Sequence, residues 1–299
     1  MLFTNTEKFN FAKDPAVVRF RGVYFLYYTV KLPKDELGRV RIGVGIATSR
    51  DMEEWSCIGE VAMDQPYELN GIGAPAAIVI DGKVHLFYQT YGNGKRDAIC
   101  HAVSSDGYVF EKNIDNPIYR PTDDWCSGRA IDADVCIFKD RLYLYYATRD
   151  HKMEIQKIGG AYTSLDSDFS RSSWTSIGKQ SIIAPEFAWE QECIEAPATI
   201  VNDGKMFMFY GGAYNCKPQQ IGYAVSDDGE FFRKMSPQPF ITKGEEGSWN
   251  SSESGHPYAF RDDDGRAYLF YQGSADMGKT WYLSKVEIGF DENNVPYVK

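Results

Sequence analysis

Three acidic residues are candidates for acid–base catalysis: Asp14 in KDPAV, Asp132 in AIDADV and Glu195 in IEAP. Carboxylates that meet in a narrow site repel each other and lose hydration, and both effects raise the pKa of at least one of them. One protonated and one ionised carboxyl group form the pair that cleaves a glycosidic bond. The chemistry expected of these residues is therefore hydrolysis of a glycoside.

A repeated unit would have to position these acids. An aromatic-rich strand recurs as YFLYY at 24–28, VHLFY at 84–88, LYLYY at 142–146, MFMFY at 206–210 and AYLFY at 267–271. Counting back ten residues, or eleven in the fifth copy because its turn is one residue longer, gives starts at 14, 74, 132, 196 and 256. Asp14 and Asp132 stand at two of these starts, and Glu195 stands one residue before another.

Each copy also carries a second marker, in which a small residue and a Ser or Thr precede an Asp and an aromatic residue. The marker reads ATSRDMEEW at 47–55, AVSSDGYVF at 102–110, AYTSLDSDF at 161–169 and AVSDDGEFF at 224–232, and it degenerates to LSKVEIGF in the fifth copy. Asp-Gly pairs beginning at Asp81, Asp203 and Asp264 are typical of tight hairpins between antiparallel strands. Each unit is therefore predicted to hold about four antiparallel strands.

Five such units predict an all-β fold, a five-bladed β-propeller that forms one domain over residues 1–299. Propeller blades surround a central channel, and the first strand of each blade lines it. A long β-sandwich is the alternative fold, but it does not require a repeated sequence. In the propeller the five starts converge on the axis, with His256 beside the acids and Ala74 closing the ring without a chemical role.

The three acidic motifs, in this order, resemble those of family 43 glycoside hydrolases, and the resemblance spans nearly the whole chain. It implies an inverting enzyme in which Asp14 is the general base, Glu195 the general acid, and Asp132 orients the acid. It also implies that His256 corresponds to an axial histidine near a central ion or water. The sugar that it implies is a terminal α-L-arabinofuranoside or β-xyloside. The chain length, without an appended carbohydrate-binding module or a secretion signal, favours short oligosaccharides as substrates.

Two departures from the family pattern keep alternatives open. Family members usually have Ile-Asp-Pro where this chain has Ile-Asp-Ala at 131–133, so Asp134 competes for the third acidic role, although the repeat favours Asp132. Glu192-Cys193 is similar to a motif of the related retaining β-fructosidases, but the Pro that follows it there is missing. A β-fructosidase, a glycosidase specific for anhydro-sugars and a non-catalytic sugar-binding propeller are the alternative functions.

Further candidates for substrate binding lie on the loops before Asp132 and His256: Trp125, Arg129 and Trp249, with Asn250 and Glu253 close to the last. The two tryptophans could stack on a sugar or pack between blades, and Arg129 could bind hydroxyl groups or offset the charge of the acids. Arg149, Asp150 and His151 follow a strand whose end could lie away from the pocket. No cofactor is expected, although a cation or an ordered water could lie near His256.

Charge and composition argue against several classes of partner. A net charge of −10 offers no basic surface for nucleic acid or an anionic membrane. The N-terminus lacks a signal-peptide pattern, and no apolar run approaches the ~20 residues of a membrane span, so a cytoplasmic location is expected unless a signal was removed. The six cysteines show no metal-binding spacing and are expected to be free thiols. The sequence does not indicate an oligomeric state.

Overall fold

The protein, described over residues 1–299 by a computed structural model, consists of five four-stranded sheets. Blade 1 contains β1 (Lys13–Phe20), β2 (Val23–Leu32), β3 (Arg41–Ser49) and β4 (Ser56–Glu60). Blade 2 contains β5 (Ile72–Ile80), β6 (Lys83–Thr90), β7 (Ile99–Ser104) and β8 (Glu111–Lys112). Blade 3 contains β9 (Ile131–Phe138), β10 (Arg141–Arg149), β11 (Gln156–Ser164) and β12 (Thr175–Ser176).

Blade 4 contains β13 (Ile194–Asn202), β14 (Lys205–Gly212), β15 (Gln220–Ser226) and β16 (Arg233–Lys234). Blade 5 contains β17 (Glu253–Arg261), β18 (Ala267–Ser274), β19 (Tyr282–Phe290) and β20 (Pro296–Val298). The helical segments are single 3₁₀ turns at Thr6–Lys8, Pro66–Glu68, Gly94–Arg96, Arg171–Ser173 and Ala188–Glu190. None of these turns has the length or the apolar character that a membrane crossing requires.

Every blade is an antiparallel meander, because its strands pair in the order in which they follow along the chain. The five-bladed β-propeller predicted from the repeat is therefore confirmed. The second strand of each blade packs between two neighbouring blades, so both of its faces are apolar or aromatic. Tyr27, Tyr88, Tyr145 and Tyr210 on these strands are fully buried, which explains why the repeated motif does not alternate between apolar and polar residues.

Each first strand begins with a β-bulge at the position that the sequence repeat identifies as its start. The register between first and second strands shifts at this point in all five blades. The bulge residues have left-handed φ angles: 52° at Asp14, 42° at Ala74, 51° at Asp132, 52° at Ala196 and 43° at His256. Non-glycine residues seldom adopt this conformation, so the five starts are equivalent points of the backbone at one end of the channel.

The N-terminal segment closes the ring. In blades 2, 3 and 4 the third strand forms a single bridge with the connection that follows the blade: Ile99 with Tyr119, Ile158 with Ile183 and Ile221 with Ile241. In blade 5 the corresponding partner of Leu283 is Phe3, with N–H···O distances of 2.8 and 2.7 Å. The start of the chain thus fastens blade 5 to blade 1.

The opposite end of the channel is mostly apolar. A recess of about 400 Å³ lies there, bordered by residues from the first strands of all five blades, including Val18, Ile78 and Ile200. The Tyr258 hydroxyl donates a 2.7 Å hydrogen bond to the Ala77 carbonyl, which ties blade 5 to blade 2. Arg19, Arg261 and Asp263 also border this recess, whereas the cluster of Asp14, Asp132 and Glu195 lies at the bulged end.

Candidate active site

The bulged end of the channel brings together four of the predicted site residues. Asp14, Asp132, Glu195 and His256 come from blades 1, 3, 4 and 5, and each is between 7 and 8% exposed. Ala74 contributes a methyl group from blade 2 at the equivalent bulge. The repeat thus places acids from three blades in one buried cluster.

Asp14 is held in its ionised form. His256 Nδ1 lies 3.0 Å and Lys13 Nζ 3.9 Å from Asp14 Oδ1. Burial alone would raise the pKa of Asp14, but His256, Lys13 and a hydrogen bond from Thr29 outweigh burial and lower the pKa. Burial outweighs the attraction of Asp14 and lowers the pKa of His256, and Nδ1 of the ring faces the Asp14 carboxylate at hydrogen-bonding distance. Asp14 can therefore act as a proton acceptor.

Asp132 has the opposite character. Burial, followed by the negative charges of Glu195 and Asp14, raises the pKa of Asp132 well above its ordinary value. The positive charges of Arg129 and Lys13 offset only part of this rise. The surroundings thus favour the ionised form of Asp14 and the protonated form of Asp132.

Glu195 is held on both oxygens by buried amide groups. Gln156 Nε2 donates to Glu195 Oε2, and Gln219 Nε2 donates to Glu195 Oε1 at 2.7 Å. Arg149 Nε in turn donates to Gln156 Oε1 at 2.8 Å. The orientation of the Glu195 carboxyl group is thus fixed by neighbouring side chains.

Lys13 lies in this cluster, although the sequence analysis did not single it out. It precedes the bulge of blade 1, as Glu195 precedes the bulge of blade 4. Burial opposes its charge, but the surrounding carboxylates, with Asp14 contributing most, raise the pKa of Lys13. Its Nζ also lies 4.5 Å from the centre of the Trp281 ring. The position before each repeat start was the signal that could have revealed Lys13.

Asp134 lies two residues beyond Asp132 on β9 and serves the wall between blades 3 and 4. Its carboxyl group accepts hydrogen bonds from the Thr199 hydroxyl and, at 2.9 Å, from the Thr199 backbone N–H. Burial raises the pKa of Asp134 to about 7. The structure places Asp132, rather than Asp134, within the charge cluster of Asp14 and Glu195.

A family model described as glycosyl hydrolases family 43 matches residues 3–292, nearly the full length of the propeller. The chain belongs to glycosyl hydrolase family 43.

Two curated proteins are similar to this family 43 chain. A 1,2-beta-oligomannan phosphorylase from Thermoanaerobacter sp. (strain X514) is 25% identical over 209 residues, which cover 67% of this chain and 64% of that protein. Xylosidase/arabinosidase 43A from Humicola insolens is 30% identical over 151 residues, which cover 48% of this chain and 43% of that protein. The chain thus spans less than two thirds of the length of either relative.

A solved structure shares the fold of this family 43 chain. The crystal structure of a thermostable family-43 glycoside hydrolase superposes with a TM-score of 0.78 at 22% sequence identity. The superposition covers 96% of this chain and 92% of the other. The propeller architecture is therefore common to both proteins.

The loop before Asp132 places Arg129 at the edge of the family 43 site. Arg129 Nη1 lies 3.4 Å from Gln156 Oε1, and Nε lies 3.6 Å from Asp97 Oδ2. Trp125 is half-buried, and its buried indole N–H has no hydrogen-bond partner in the protein. Arg129 therefore offsets acidic charge, since its positive charge limits the rise in the pKa of Asp132. Contacts of Arg129 and Trp125 with a sugar stay predictions.

Trp249 and Arg149 lie in contrasting positions. The Trp249 ring is 5.6 Å from the Tyr271 ring and covers Gly273, so it packs within blade 5. Contact of Trp249 with a sugar stays a prediction. Arg149, which could have pointed away from the pocket, instead reaches the site through Gln156 and lies 5.2 Å over the Tyr214 ring.

The side chains around His256 do not form a metal-binding cluster. No group of three or more His, Cys, Asp or Glu residues is arranged to hold a metal ion. Nδ1 of His256 is engaged by Asp14, which leaves Nε2 as the ring nitrogen that could contact a cation or an ordered water. Such an occupant stays a prediction. All six cysteines are free thiols.

Proposed function

We propose that this family 43 protein is an inverting glycoside hydrolase that removes a terminal sugar from short oligosaccharides. The observation that carries the proposal is the pairing of an ionised Asp14 with the buried Asp132–Glu195 cluster at the same end of the channel. The proposed substrates are α-L-arabinofuranosides and β-xylosides, since the Humicola insolens relative is named a xylosidase/arabinosidase.

In the proposed mechanism Asp14 accepts a proton from a water molecule whose oxygen attacks the anomeric carbon. Glu195 donates a proton to the glycosidic oxygen as its bond to that carbon breaks. The attack comes from the face opposite the leaving group, so the anomeric configuration inverts. The two carboxyl groups should then lie roughly 6.5–9.5 Å apart, which leaves room for the water.

The neighbours of these two residues support the assignment. His256 and Lys13 keep Asp14 ionised, as a general base requires. Asp132 shares the buried cluster with Glu195, whose charge contributes to the raised pKa of Asp132, and the proposal gives Asp132 the role of orienting the acid. Asp14 should remain ionised below the ordinary carboxyl range, so the loss of activity in acid should begin at an unusually low pH.

A panel of nitrophenyl glycosides tests the proposal. Pentosides, hexosides and fructosides are assayed together with oligosaccharides and anhydro-sugar substrates, and the anomer first released is identified by proton NMR. Cleavage of an arabinofuranoside or xyloside with inversion is the expected result. Retention of configuration would favour the fructosidase alternative, and inactivity across the panel would favour a sugar-binding protein.

Phosphorolysis is a second candidate reaction. Three cationic side chains, Lys13, Arg129 and Arg149, lie in or beside the acid cluster, and one relative is named a 1,2-beta-oligomannan phosphorylase. Phosphate would then replace water as the attacking group. Phosphate-dependent release of a sugar 1-phosphate from β-mannosides would support this reaction, whereas turnover without phosphate supports hydrolysis.

The remaining expectations concern partners and location. The oligosaccharide is the proposed partner, and the net charge of −10 argues against nucleic acid and anionic membranes as partners. The cytoplasmic location expected from the sequence stays a prediction.

A further inference from the structure

We infer that Gln156 and Gln219 are positioning residues that aim the carboxyl group of Glu195 at the glycosidic oxygen. This inference rests on the proposed function, in which Glu195 is the general acid. Both glutamines are almost completely buried, with 1% and 0% of their surface exposed. Each donates one amide N–H to a different oxygen of Glu195.

Gln156 is fastened to the segment that carries Glu195. It is the first residue of β11, and its backbone N–H donates a 2.9 Å hydrogen bond to the Glu192 carbonyl. Its side-chain oxygen accepts hydrogen bonds from Arg149 Nε at 2.8 Å and Arg129 Nη1 at 3.4 Å. Since guanidinium groups can only donate, they fix which end of the amide faces Glu195. The Gln156 NH₂ group must point to the carboxyl group.

Gln219 holds Glu195 from the other side. Its Nε2 donates to the Ala213 carbonyl at 2.9 Å as well as to Glu195, and its Oε1 accepts the His256 backbone N–H at 3.0 Å. The amide orientation is again determined, because the backbone N–H requires an acceptor.

Two glycines make room for this amide. A Cβ on Gly255 would overlap Gln219 Oε1, and a Cβ on Gly211 would lie 3.0 Å from Gln219 Cδ. Gly255 precedes the bulge of blade 5, the position that Glu195 occupies in blade 4. The side chain of Gln219 therefore fills the space that blade 5 leaves empty at this position.

The two amide contacts restrict rotation of the Glu195 carboxyl group without occupying it fully. Each carboxyl oxygen has two lone pairs and receives one amide N–H, so the group can still carry the proton that it donates. A small misplacement of a catalytic group can slow a reaction ~10²-fold. Loss of either amide should therefore weaken proton donation. Loss of the Gln156 amide, whose side-chain hydrogen bonds go to Glu195, Arg149 and Arg129, should in addition leave water activation by Asp14 unchanged.

The test compares leaving groups in Gln156→Met and Gln219→Met, which retain side-chain length but lose the amide. The substrates are an alkyl glycoside, whose leaving group needs a proton, and the matching dinitrophenyl glycoside, whose leaving group does not. We expect kcat for the alkyl glycoside to fall about tenfold or more, a part of the ~10²–10⁴-fold that general acid catalysis contributes. For Gln156→Met we expect kcat for the dinitrophenyl glycoside and both KM values to stay within about twofold. Gln219→Met also removes the acceptor of the His256 backbone N–H, so it should slow the dinitrophenyl glycoside as well, but less than the alkyl glycoside.

Further variants separate positioning from packing. Gln156→Glu keeps the shape of the side chain but replaces the donor by an acceptor, so it should be at least as damaging as Gln156→Met. Arg149→Met removes a half-buried partner of Gln156 and replaces the methionine variants if these do not fold. It should lower kcat for the alkyl glycoside selectively, but less than Gln156→Met would. Tyr88→Phe, which removes a buried hydrogen bond to Glu68 in blade 2, should lower the melting temperature without any dependence on the leaving group.

The outcomes distinguish this inference from the proposed function. If Glu195→Ala slows the alkyl glycoside selectively but the folded glutamine and Arg149 variants slow both substrates equally, or neither, the inference is overturned. If Glu195→Ala itself shows no selectivity, the acid role of Glu195 fails, and the inference fails with it.

Discussion

Blades 2 and 4 are built on the same buried triad but present different groups to the channel. In each blade a fully buried glutamate lies on a 3₁₀ turn before the first strand, and it accepts hydrogen bonds from a tyrosine and a lysine at 2.6–2.8 Å. The triads are Glu68–Tyr88–Lys112 and Glu190–Tyr210–Lys234. Each first strand then reaches a left-handed alanine, Ala74 or Ala196. The scaffold is thus repeated almost residue for residue.

The difference lies one residue before the alanine. Blade 2 has Gly73, where a Cβ would lie 2.7 Å from Ile42 Cδ1 and 3.1 Å from Thr29 Oγ1. Blade 4 has Glu195, which pairs with Gly211 on β14 and extends between two glutamine amides. The comparison shows that this fold brings a charged group to the channel at a single position where the neighbouring blades leave space, while both blades keep the buried triad.

Exchanging the distinguishing residue should have the largest effect. Glu195→Gly gives blade 4 the residue of blade 2 and removes the proposed proton donor. Activity on an oligosaccharide should fall ~10²–10⁴-fold. The free energy of unfolding should fall by only a few kcal/mol, since a glycine in a strand costs about 1 kcal/mol and each glutamine amide that loses its acceptor costs about 1–3 kcal/mol. Initial rates and urea unfolding measure the two effects. If the folded variant kept its activity, Glu195 would not be the residue that gives blade 4 its proposed catalytic role.

Removing the shared carboxylates should instead affect stability in both blades. Glu68→Ala and Glu190→Ala each leave a buried lysine without its partner, which should lower the free energy of unfolding by about 3–5 kcal/mol. Urea titration of the two variants measures this loss. Activity per folded molecule should survive Glu68→Ala but decrease in Glu190→Ala, because the Glu190 turn directly precedes Glu195. Equal losses of activity would mean that blade 2 also positions catalytic groups.

Blade 3 extends the comparison two residues beyond the bulge, where it has Asp134 and blades 2 and 4 have Ala76 and Ala198. Burial raises the pKa of Asp134 to about 7, so the native state binds more protons than the unfolded chain between that pH and the ordinary carboxyl pKa of ~4. The free energy of unfolding should therefore decrease as pH rises through this window.

Asp134→Asn should abolish this part of the pH dependence, since an amide does not titrate. The difference between the two proteins should reach a few kcal/mol at most, on the order of 1.4 kcal/mol for each unit of pKa shift. Urea unfolding of both proteins at about pH 5 and about pH 8 measures this difference in the free energy of unfolding. Parallel pH profiles would show that Asp134 is not buried as described.

Filling the empty position of blade 2 should have the smallest effect. Gly73→Ala adds a methyl group against Ile42 and Thr29, which should lower the free energy of unfolding by about 1–3 kcal/mol through overpacking. Gly43→Ala is the control, because its Cβ would lie 3.3 Å from the flexible end of Leu32. A smaller loss in Gly73→Ala than in the control would contradict the assigned contacts.

The frame of the site was predictable because it depends on local pattern. Aromatic second strands and short hairpins fix the distance from each strand to its bulge, so Asp14, Asp132 and His256 could be placed by counting. The same count could have identified Lys13, since Lys13 and Glu195 each lie one residue before the bulge of their blade. The inverting mechanism and the sugar come from family resemblance and not from this count.

The supports of Glu195 were not predictable from the sequence. Gln156 and Gln219 lie 39 and 24 residues from Glu195 and meet it only through packing between strands. No sequence motif around a glutamine predicts such a contact. The direction of Trp249 likewise depends on the space above Gly273, which a loop sequence does not reveal.

The most direct test of the account compares Glu195→Gly and Asp14→Ala on an alkyl glycoside and the matching dinitrophenyl glycoside. If blade 4 supplies the acid and blade 1 the base, Glu195→Gly should lose ~10²–10⁴-fold on the alkyl glycoside and far less on the dinitrophenyl glycoside. Asp14→Ala should slow both substrates alike, because water must be activated whatever group departs. The opposite pattern would reverse the two roles, and full activity of both folded variants would exclude this pair from catalysis.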